Sequence, residues 1–259
     1  MRWTERQRSM LREFGVRLHE PEIKSVAVDS PPIPSHDGAG AAVAVREPVA
    51  RLPAGLVLVR DGLGARAEVA AMDWPALRSA VASCRACGLC ESRRNTVFGV
   101  GNQRAHWMVV GEAPGEQEDA SGEPFVGAAG QLLDNMLRAL GLTRDEAPPE
   151  RQVFIANTLK CRPPRNRNPE PTELAQCEPF LQRQIALIQP RVIVAMGRFA
   201  VQALLGSDEP IGRLRGRVHR YQGVPLVVTY HPAYLLRNLA DKARAWDDLC
   251  LAAEVAVAP

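Results

Sequence analysis

The sequence predicts an α/β fold, a three-layer α/β/α sandwich around a central, mainly parallel four-stranded sheet, preceded by a poorly structured N-terminal extension. Apolar runs typical of buried strands alternate along the chain with segments that have helical periodicity. Because parallel strands need helical crossovers between them, this alternation favours a parallel sheet covered on both faces. The four predicted strands are His106–Val110, Val153–Ala156, Val192–Met196 and Pro225–Thr229.

Three helices are predicted between and after these strands. The first runs from about Gly130 to Leu140 and the second from about Thr172 to Ile188, each with an apolar stripe at helical spacing. The third runs from about Ala240 to Val255. In such folds ligands bind beyond the carboxyl ends of the strands, so the loops after each strand are the places to look for chemistry.

Composition limits the classes of protein that this chain can belong to. Hydrophobic residues make up 46% and charged residues 24%, as in a globular protein. The formal net charge of +3 is too small to diagnose a nucleic-acid partner. No run of about 18 apolar residues predicts a membrane span, and the charged N-terminus lacks the apolar region of a secretory signal. We therefore expect a cytoplasmic, monomeric protein with reduced thiols.

Two regions are predicted, an extension over residues 1–75 and a domain over residues 76–259. The first 27 residues contain Met10, Leu11, Phe14 and Leu18, which would share one side of a short helix. Residues 28–55 are rich in Pro, Ala, Gly and Val without aromatics, which is typical of a flexible segment. The sequence indicates no partner for this extension.

Six cysteines are spaced in a way that suggests a metal site. Cys84 and Cys87 form a C-x2-C pair, and Cys161 and Cys177 follow far downstream, after a predicted strand and on a predicted helix. Four thiolates suit either zinc or a [4Fe–4S] cluster, and the spacing does not choose between them. The alternative is that they are small buried hydrophobes, which is our interpretation of Cys250. Cys90 is predicted to be a spare thiol.

The loop after the first strand is built for close approach to a ligand. It contains Glu112, Ala113 and Pro114 between two glycines, so its backbone N–H groups can face a bound group. Phe125 follows among turn residues, where a core aromatic is unexpected. Its ring either stacks on a flat ligand or plugs the base of the loop, and the sequence favours neither.

The loops after the second and fourth strands carry further polar candidates. Asn157 can present a donor and an acceptor together, although a turn-capping asparagine is commoner. Arg162 and Arg165 follow it and could contact phosphates. His231 precedes a proline that fixes its turn. Leu235 and Leu236 could insert as a wedge into the base stack of DNA. Arg237 and Arg215 are further candidates for contact with DNA, and Arg215 lies in a segment with alternating basic residues (212–220).

Four motifs together carry a resemblance to a known family. In order, they read GEAPGEQED, GEPFVGAAGQLL, NTLKCRPPRNRNP and HPAYLLRN, with the C-x2-C pair ahead of them. The set resembles family 4 uracil-DNA glycosylases over about residues 80 to 255. The resemblance implies a structural [4Fe–4S] cluster on Cys84, Cys87, Cys161 and Cys177, in preference to zinc. The first 75 residues lie outside it.

The resemblance also implies roles for individual residues. Phe125 would stack on a uracil flipped out of single- or double-stranded DNA. Asn157 would bind N3–H and O4 of the uracil, and His231 would donate a hydrogen bond to O2. Backbone groups around Glu112, Ala113 and Pro114 would support the base. Other glycosylase families place an aspartate where Ala113 stands, so Glu112 becomes the candidate for electrostatic help or water positioning.

The resemblance predicts a monofunctional glycosylase without lyase activity, and three other kinds of protein are alternatives to it. A covalently trapping relative uses a histidine in an insert, but the loop 162–176 contains none. A non-catalytic iron–sulfur DNA-binding module remains the alternative, although it would not need Phe125, Asn157 and His231 together. A zinc-ribbon protein would be colourless, whereas an iron–sulfur protein is brown.

Overall fold

Helices and strands alternate through residues 68–257, which are the residues described by the computed structural model. The helices are α1 Trp74–Ser83, α2 Leu89–Ser92, α3 Glu116–Ser121, α4 Ala128–Ala139, α5 Pro171–Ile188, α6 Arg198–Leu205, α7 Ile211–Leu214, α8 Pro232–Arg237 and α9 Lys242–Val257. The strands are β1 Val100–Gly101, β2 Trp107–Gly111, β3 Phe154–Asn157, β4 Val192–Met196, β5 Val218–Tyr221 and β6 Val224–Thr229. No helix among these residues is both long and apolar enough to span a bilayer.

The strands form one sheet in the order β1-β3-β2-β4-β6-β5. The four predicted strands are its parallel centre, which confirms the α/β class and the parallel arrangement. Two antiparallel edge strands, β1 and β5, extend the sheet to six. The sequence did not indicate them because β1 has only two residues and β5 carries basic residues and an exposed valine, so neither is an apolar run.

The sheet separates two buried apolar clusters, as a three-layer sandwich requires. Along β2, Met108 and Val110 face one cluster, whereas Trp107 and Val109 face the other. Helices α1, α5 and α6 cover the first face, and α4 and α9 cover the second. The three predicted helices are therefore confirmed as α4, α5 and α9, with ends that differ by a few residues.

The packed core includes residues that precede the predicted boundary at residue 76. Val69 is buried, and Met72 and Trp74 pack against the same cluster. Asp73 caps α1 by accepting a hydrogen bond from the main-chain nitrogen of Ala76 at 3.0 Å. The helix predicted within residues 1–27 and the flexible segment 28–55 lie outside the described residues.

Three of the parallel strands place their carboxyl ends along one edge of the sheet. Gly111 at the end of β2 is in register with Asn157 at the end of β3. On the other side of β2, β4 pairs with β6, which ends at Thr229, two residues before His231. The loops predicted to carry chemistry therefore leave the sheet at neighbouring points.

Candidate active site

The loops after β2, β3 and β6 enclose one cavity at this edge. All six residues predicted to bind a base line it: Glu112, Ala113, Pro114, Phe125, Asn157 and His231. Glu118, Asn166 and Arg167 complete part of the wall. The structure thus brings together side chains that are up to 119 positions apart in the chain (112 to 231).

Phe125 has the backbone conformation of a constrained residue. Its φ of 56° lies in the left-handed region, which is unfavourable for an aromatic residue and commonest where function requires it. Its ring lies 5.4 Å from the imidazole of His231, with 27° between the planes. Phe125 is also 5% exposed and belongs to the core. Both interpretations of Phe125 therefore describe part of its environment: it closes the loop base and lines the cavity.

A glycine at the end of β2 makes room for two of these side chains. A Cβ atom on Gly111 would lie 2.5 Å from Oδ1 of Asn157 and 2.5 Å from Cζ of Phe125. Any side chain here would displace one of them.

Asn157 presents an unsatisfied acceptor to the cavity. The residue is 2% exposed, and its Oδ1 has no hydrogen-bond partner among the described residues. Its main-chain oxygen, in contrast, accepts a hydrogen bond from Nζ of Lys160 at 2.8 Å. Because a buried polar atom without a partner costs free energy, such an atom in a cavity wall indicates a place where a ligand donates.

His231 is held as a neutral imidazole with a defined tautomer. As the N-cap of α8, it accepts a hydrogen bond at Nδ1 from the main-chain nitrogen of Ala233, 3.2 Å away. An accepting Nδ1 places the proton on Nε2. Burial lowers the pKa of His231 to about 4, opposed by the charge of Glu118 and reinforced by that of Arg237. The side chain is therefore an uncharged N–H donor at neutral pH.

Glu112 contributes a carboxyl group and a fixed backbone. Burial raises the pKa of its carboxyl group above the usual range, and the charge of Arg198 opposes the shift. Its main-chain oxygen accepts from the hydroxyl of Thr158 and from the nitrogen of Leu159 at 3.1 Å. The loops after β2 and β3 are thereby bonded to each other.

Glu118 is a site residue that the sequence reasoning missed. Its carboxylate accepts hydrogen bonds from the main-chain nitrogens of Gly115 at 3.1 Å, Val126 at 3.0 Å and Gly127 at 3.2 Å. It therefore joins the loop after β2 to the segment that carries Phe125. The sequence feature that could have indicated Glu118 is its spacing from Gly115 at the start of α3, which is the spacing of a capping box.

The cysteines define a second site. Cys84, Cys87, Cys161 and Cys177 line one cavity together with Cys90. Two N–H groups point at their sulfurs: Nη1 of Arg93 donates to Sγ of Cys161 at 3.0 Å, and the main-chain nitrogen of Lys160 donates to Sγ of Cys177 at 3.2 Å. Hydrogen bonds of this kind stabilise ligating thiolates, so the donor set fits a thiolate-bound group.

Two cysteine findings qualify this description. Among residues 68–257, no three cysteine, histidine or acidic side chains come close enough together to hold a single metal ion. Cys250 lies apart from the other five on α9, where it packs against the apolar core as predicted, although it is half-buried rather than buried.

Comparisons with known proteins agree with this geometry. Residues 98–250 match the family model of the uracil DNA glycosylase superfamily. A type-4 uracil-DNA glycosylase of Archaeoglobus fulgidus is 45% identical over 164 residues, which are 60% of this chain and 79% of that protein. Those of Sulfurisphaera tokodaii and Thermotoga maritima are 43% and 44% identical, over 71% and 63% of this chain and 84% and 83% of theirs.

The chain belongs to the type-4 uracil-DNA glycosylase family. Among the residues predicted to contact DNA, Arg165 and Arg237 are exposed, as a phosphate contact requires. Arg162 is partly exposed and restrained, because its Nε donates to Oδ1 of Asn166 at 2.7 Å. Leu236 is also exposed, at 42%.

The prediction of a wedge at Leu235 is wrong for this glycosylase-family chain. Leu235 is 1% exposed and belongs to the apolar cluster beneath α4 and α9. The sequence suggested a loop at this position, but residues 232–237 form α8, and consecutive residues on a helix face different directions. Only Leu236 of the pair can reach an external ligand.

The predicted DNA contact by Arg215 is also wrong. Its guanidinium forms two 3.0 Å contacts with the carboxylate of Asp248, which is fully buried. The segment expected to be extended and cationic is instead divided between α7, which ends at Leu214, and β5, which begins at Val218. Arg215 is therefore a structural residue that neutralises a buried charge.

Proposed function

We propose that this chain removes uracil from DNA by hydrolysing the N-glycosidic bond of deoxyuridine, which yields free uracil and an abasic site for base excision repair. The observation that carries the proposal is the buried amide oxygen of Asn157, which has no hydrogen-bond partner in residues 68–257 and lies in one cavity wall with Phe125 and His231. The target base is inaccessible inside a duplex, so the nucleotide must be flipped out to reach this cavity.

Asn157 supplies base selectivity. Its Oδ1 accepts from N3–H of uracil, and its amide nitrogen donates to O4. Cytosine reverses both positions, with an acceptor at N3 and a donor at N4, so it leaves the buried amide unpaired. The aromatic face of Phe125 stacks on the ring.

His231 stabilises the leaving group. Cleavage of the N-glycosidic bond leaves the bonding electron pair on uracil, with negative charge at O2, and cationic character on the sugar. The neutral Nε2–H donates to O2 without having to lose or gain a proton, because burial lowers the pKa of His231 to about 4. A preorganised donor of this kind is worth roughly 10²–10³ in rate.

A water molecule then attacks the sugar carbon. The hydroxyl group of the water bonds to that carbon, and the remaining proton of the water neutralises the uracil anion. Glu112 is positioned to orient this water or to stabilise the sugar cation, since Ala113 offers no functional side chain. Lys160 is not available as a nucleophile because it is 1% exposed and its Nζ donates to Asn157 and Gln184. We therefore propose a monofunctional enzyme without lyase activity.

The thiolates of Cys84, Cys87, Cys161 and Cys177 would hold a [4Fe–4S] cluster, which supplies structural cross-linking and no step of the reaction. The shared cavity and the two N–H···S hydrogen bonds support this assignment. Cys90 is the spare thiol.

DNA, single- or double-stranded, is the proposed partner of a monomeric protein. Arg162, Arg165 and Arg237 would contact phosphates of the DNA backbone. The exposed Leu236 would occupy the space that the flipped nucleotide vacates.

Oligonucleotides that contain one uracil, in single- and double-stranded form, test the proposal directly. We expect the purified protein with its cluster to convert them to alkali-labile sites. Asn157→Ala and His231→Ala should each lower the single-turnover rate roughly 10²-fold or more. His219→Ala is the matched control, because this histidine lies on β5 and its Nε2 bonds to the main-chain oxygen of Leu214. A wild-type protein with an intact cluster that binds the DNA but leaves uracil in place would identify a non-catalytic binding module.

A further inference from the structure

Lys160 is a buried cation with no carboxylate partner. It is 1% exposed, and its Nζ donates to the main-chain oxygen of Asn157 at 2.8 Å and to Oε1 of Gln184 at 2.7 Å. Both acceptors are uncharged, and no ion pair to Lys160 is found among residues 68–257. A buried charge is costly unless an opposite charge compensates it.

The cysteine site is the source of that opposite charge. The main-chain nitrogen of Lys160 donates to Sγ of Cys177 at 3.2 Å, and Cys161 is the next residue in the chain. Sulfurs that ligate a metal cluster are thiolates, so with the proposed cluster bound, Cys161 and Cys177 would carry negative charge that acts on the Lys160 ammonium. Lys160 therefore contacts the cysteine site through its main chain and the strand that carries Asn157 through its side chain.

Gln184, the second acceptor of the Lys160 ammonium group, is also held in place. Gln184 lies on α5, the helix that carries Cys177, and it is fully buried. Its Nε2 donates to the main-chain oxygen of Phe98 at 2.9 Å, which directs its Oε1 toward Lys160. In contrast, Oδ1 of Asn157 has no hydrogen-bond partner within the described part of the chain. The Lys160 hydrogen bond thus restrains the backbone of a residue whose amide oxygen is held by no other group among residues 68–257.

We propose that Lys160 is a positioning residue for uracil recognition, which fixes Asn157 through its main-chain oxygen and couples the cysteine site to the uracil cavity. This inference rests on the proposed function. Under this proposal the cysteine site does more than stabilise the fold. It also affects how well the protein distinguishes uracil from other groups at the same position in DNA.

The test measures binding to two DNA duplexes by fluorescence anisotropy, using the holoprotein. One duplex contains a 2′-fluorinated deoxyuridine that resists cleavage, and the other contains a tetrahydrofuran abasic analogue. The ratio of the two affinities reports recognition of the base alone. We expect Lys160→Met to keep its brown cluster and its affinity for the abasic analogue, and to lower the ratio about tenfold.

A double-mutant cycle separates positioning from general damage. In the Asn157→Ala background, Lys160→Met should not change the ratio further, because the residue through which it acts is gone. An undiminished ratio in the single variant, or the same loss in both backgrounds, overturns the inference. If Lys160→Met loses the cluster, Gln184→Leu replaces it in the same cycle, since it keeps the lysine and removes one acceptor. A wild-type protein that does not prefer the uracil analogue would instead contradict the proposed function.

Discussion

His231 shows how one side chain acquires a role from its local backbone. It is the N-cap of α8, and the hydrogen bond from the nitrogen of Ala233 to Nδ1 fixes both the ring and its tautomer. Gly197 allows close packing here, because a Cβ on it would lie 3.1 Å from Cβ of His231. The proton on Nε2 follows from these contacts.

The pH dependence of uracil release should reflect this environment. An exposed histidine titrates near 6.5, whereas burial lowers the pKa of His231 to about 4. As pH falls through 6.5, His231 therefore stays neutral and the single-turnover rate should not drop. The loss should come nearer pH 4, where a second proton on Nδ1 would face the N–H of Ala233 and break the cap.

Glu112 provides the control for this profile. Burial raises the pKa of its carboxyl group, so its titration also contributes to the pH profile of the wild type. Measuring the rate of Glu112→Gln against pH removes that titration and leaves the contribution of His231. An acid limb centred near 6.5 in this variant would contradict the neutral-imidazole mechanism.

At the residue scale, the sequence identified groups that follow strands but not those that hold loops together. Phe125, Asn157 and His231 could be selected because each lies in a motif of the family resemblance, in a loop that follows a strand or leads into a helix. The capping-box spacing of Glu118 indicates the start of a helix but not a role in the site, because that role depends on the nitrogens of Val126 and Gly127, which only folding brings near.

At the scale of elements, α8 decides which leucine reaches the outside. Leu235 faces the core between α4 and α9, and Leu236 faces out beside Arg237. When the segment is interpreted as a loop, two adjacent leucines give no indication of which one is buried and which one is exposed. The helical period supplies it once the cap at His231 is known.

The two leucines therefore make a matched pair of variants. Leu235→Ala should lower the free energy of unfolding by about 2–5 kcal/mol, because it leaves a cavity in a packed core. Leu236→Ala should leave that stability unchanged and instead slow uracil release from duplex DNA more than from single strands, where no stack needs a wedge. Thermal unfolding and paired single-turnover assays measure both. Equal stability losses, or equal rates on duplex and single-stranded DNA, would refute the assignment.

At the scale of the whole molecule, the cysteine site connects segments that are distant in sequence. Cys84 and Cys87 lie next to α1 and α2, Cys161 follows β3, and Cys177 lies on α5. A cluster bound by all four would link these elements, and its binding free energy would add to the free energy of folding.

Removing the cluster should therefore destabilise the protein. We expect Cys161→Ser, or chelation of iron from the wild type, to remove the brown colour and to lower the unfolding temperature by roughly 5 °C or more. Cys90→Ser, at the spare thiol, should keep the colour and the iron content. Loss of colour in Cys90→Ser, or a colourless wild type that contains zinc, would contradict the ligand set.

The sequence by itself determined the four parallel strands, the three long helices and the candidates in the loops after the strands, because periodicity and position along a strand are local properties. It also predicted a set of four cysteines, which the structure places around one cavity. Only the tertiary structure decided that Leu235 is core, that Arg215 neutralises Asp248, and that Glu118 joins two loops. Each of these three features depends on a partner distant in sequence or on which face of a short helix a residue occupies. A local sequence pattern contains no information about either.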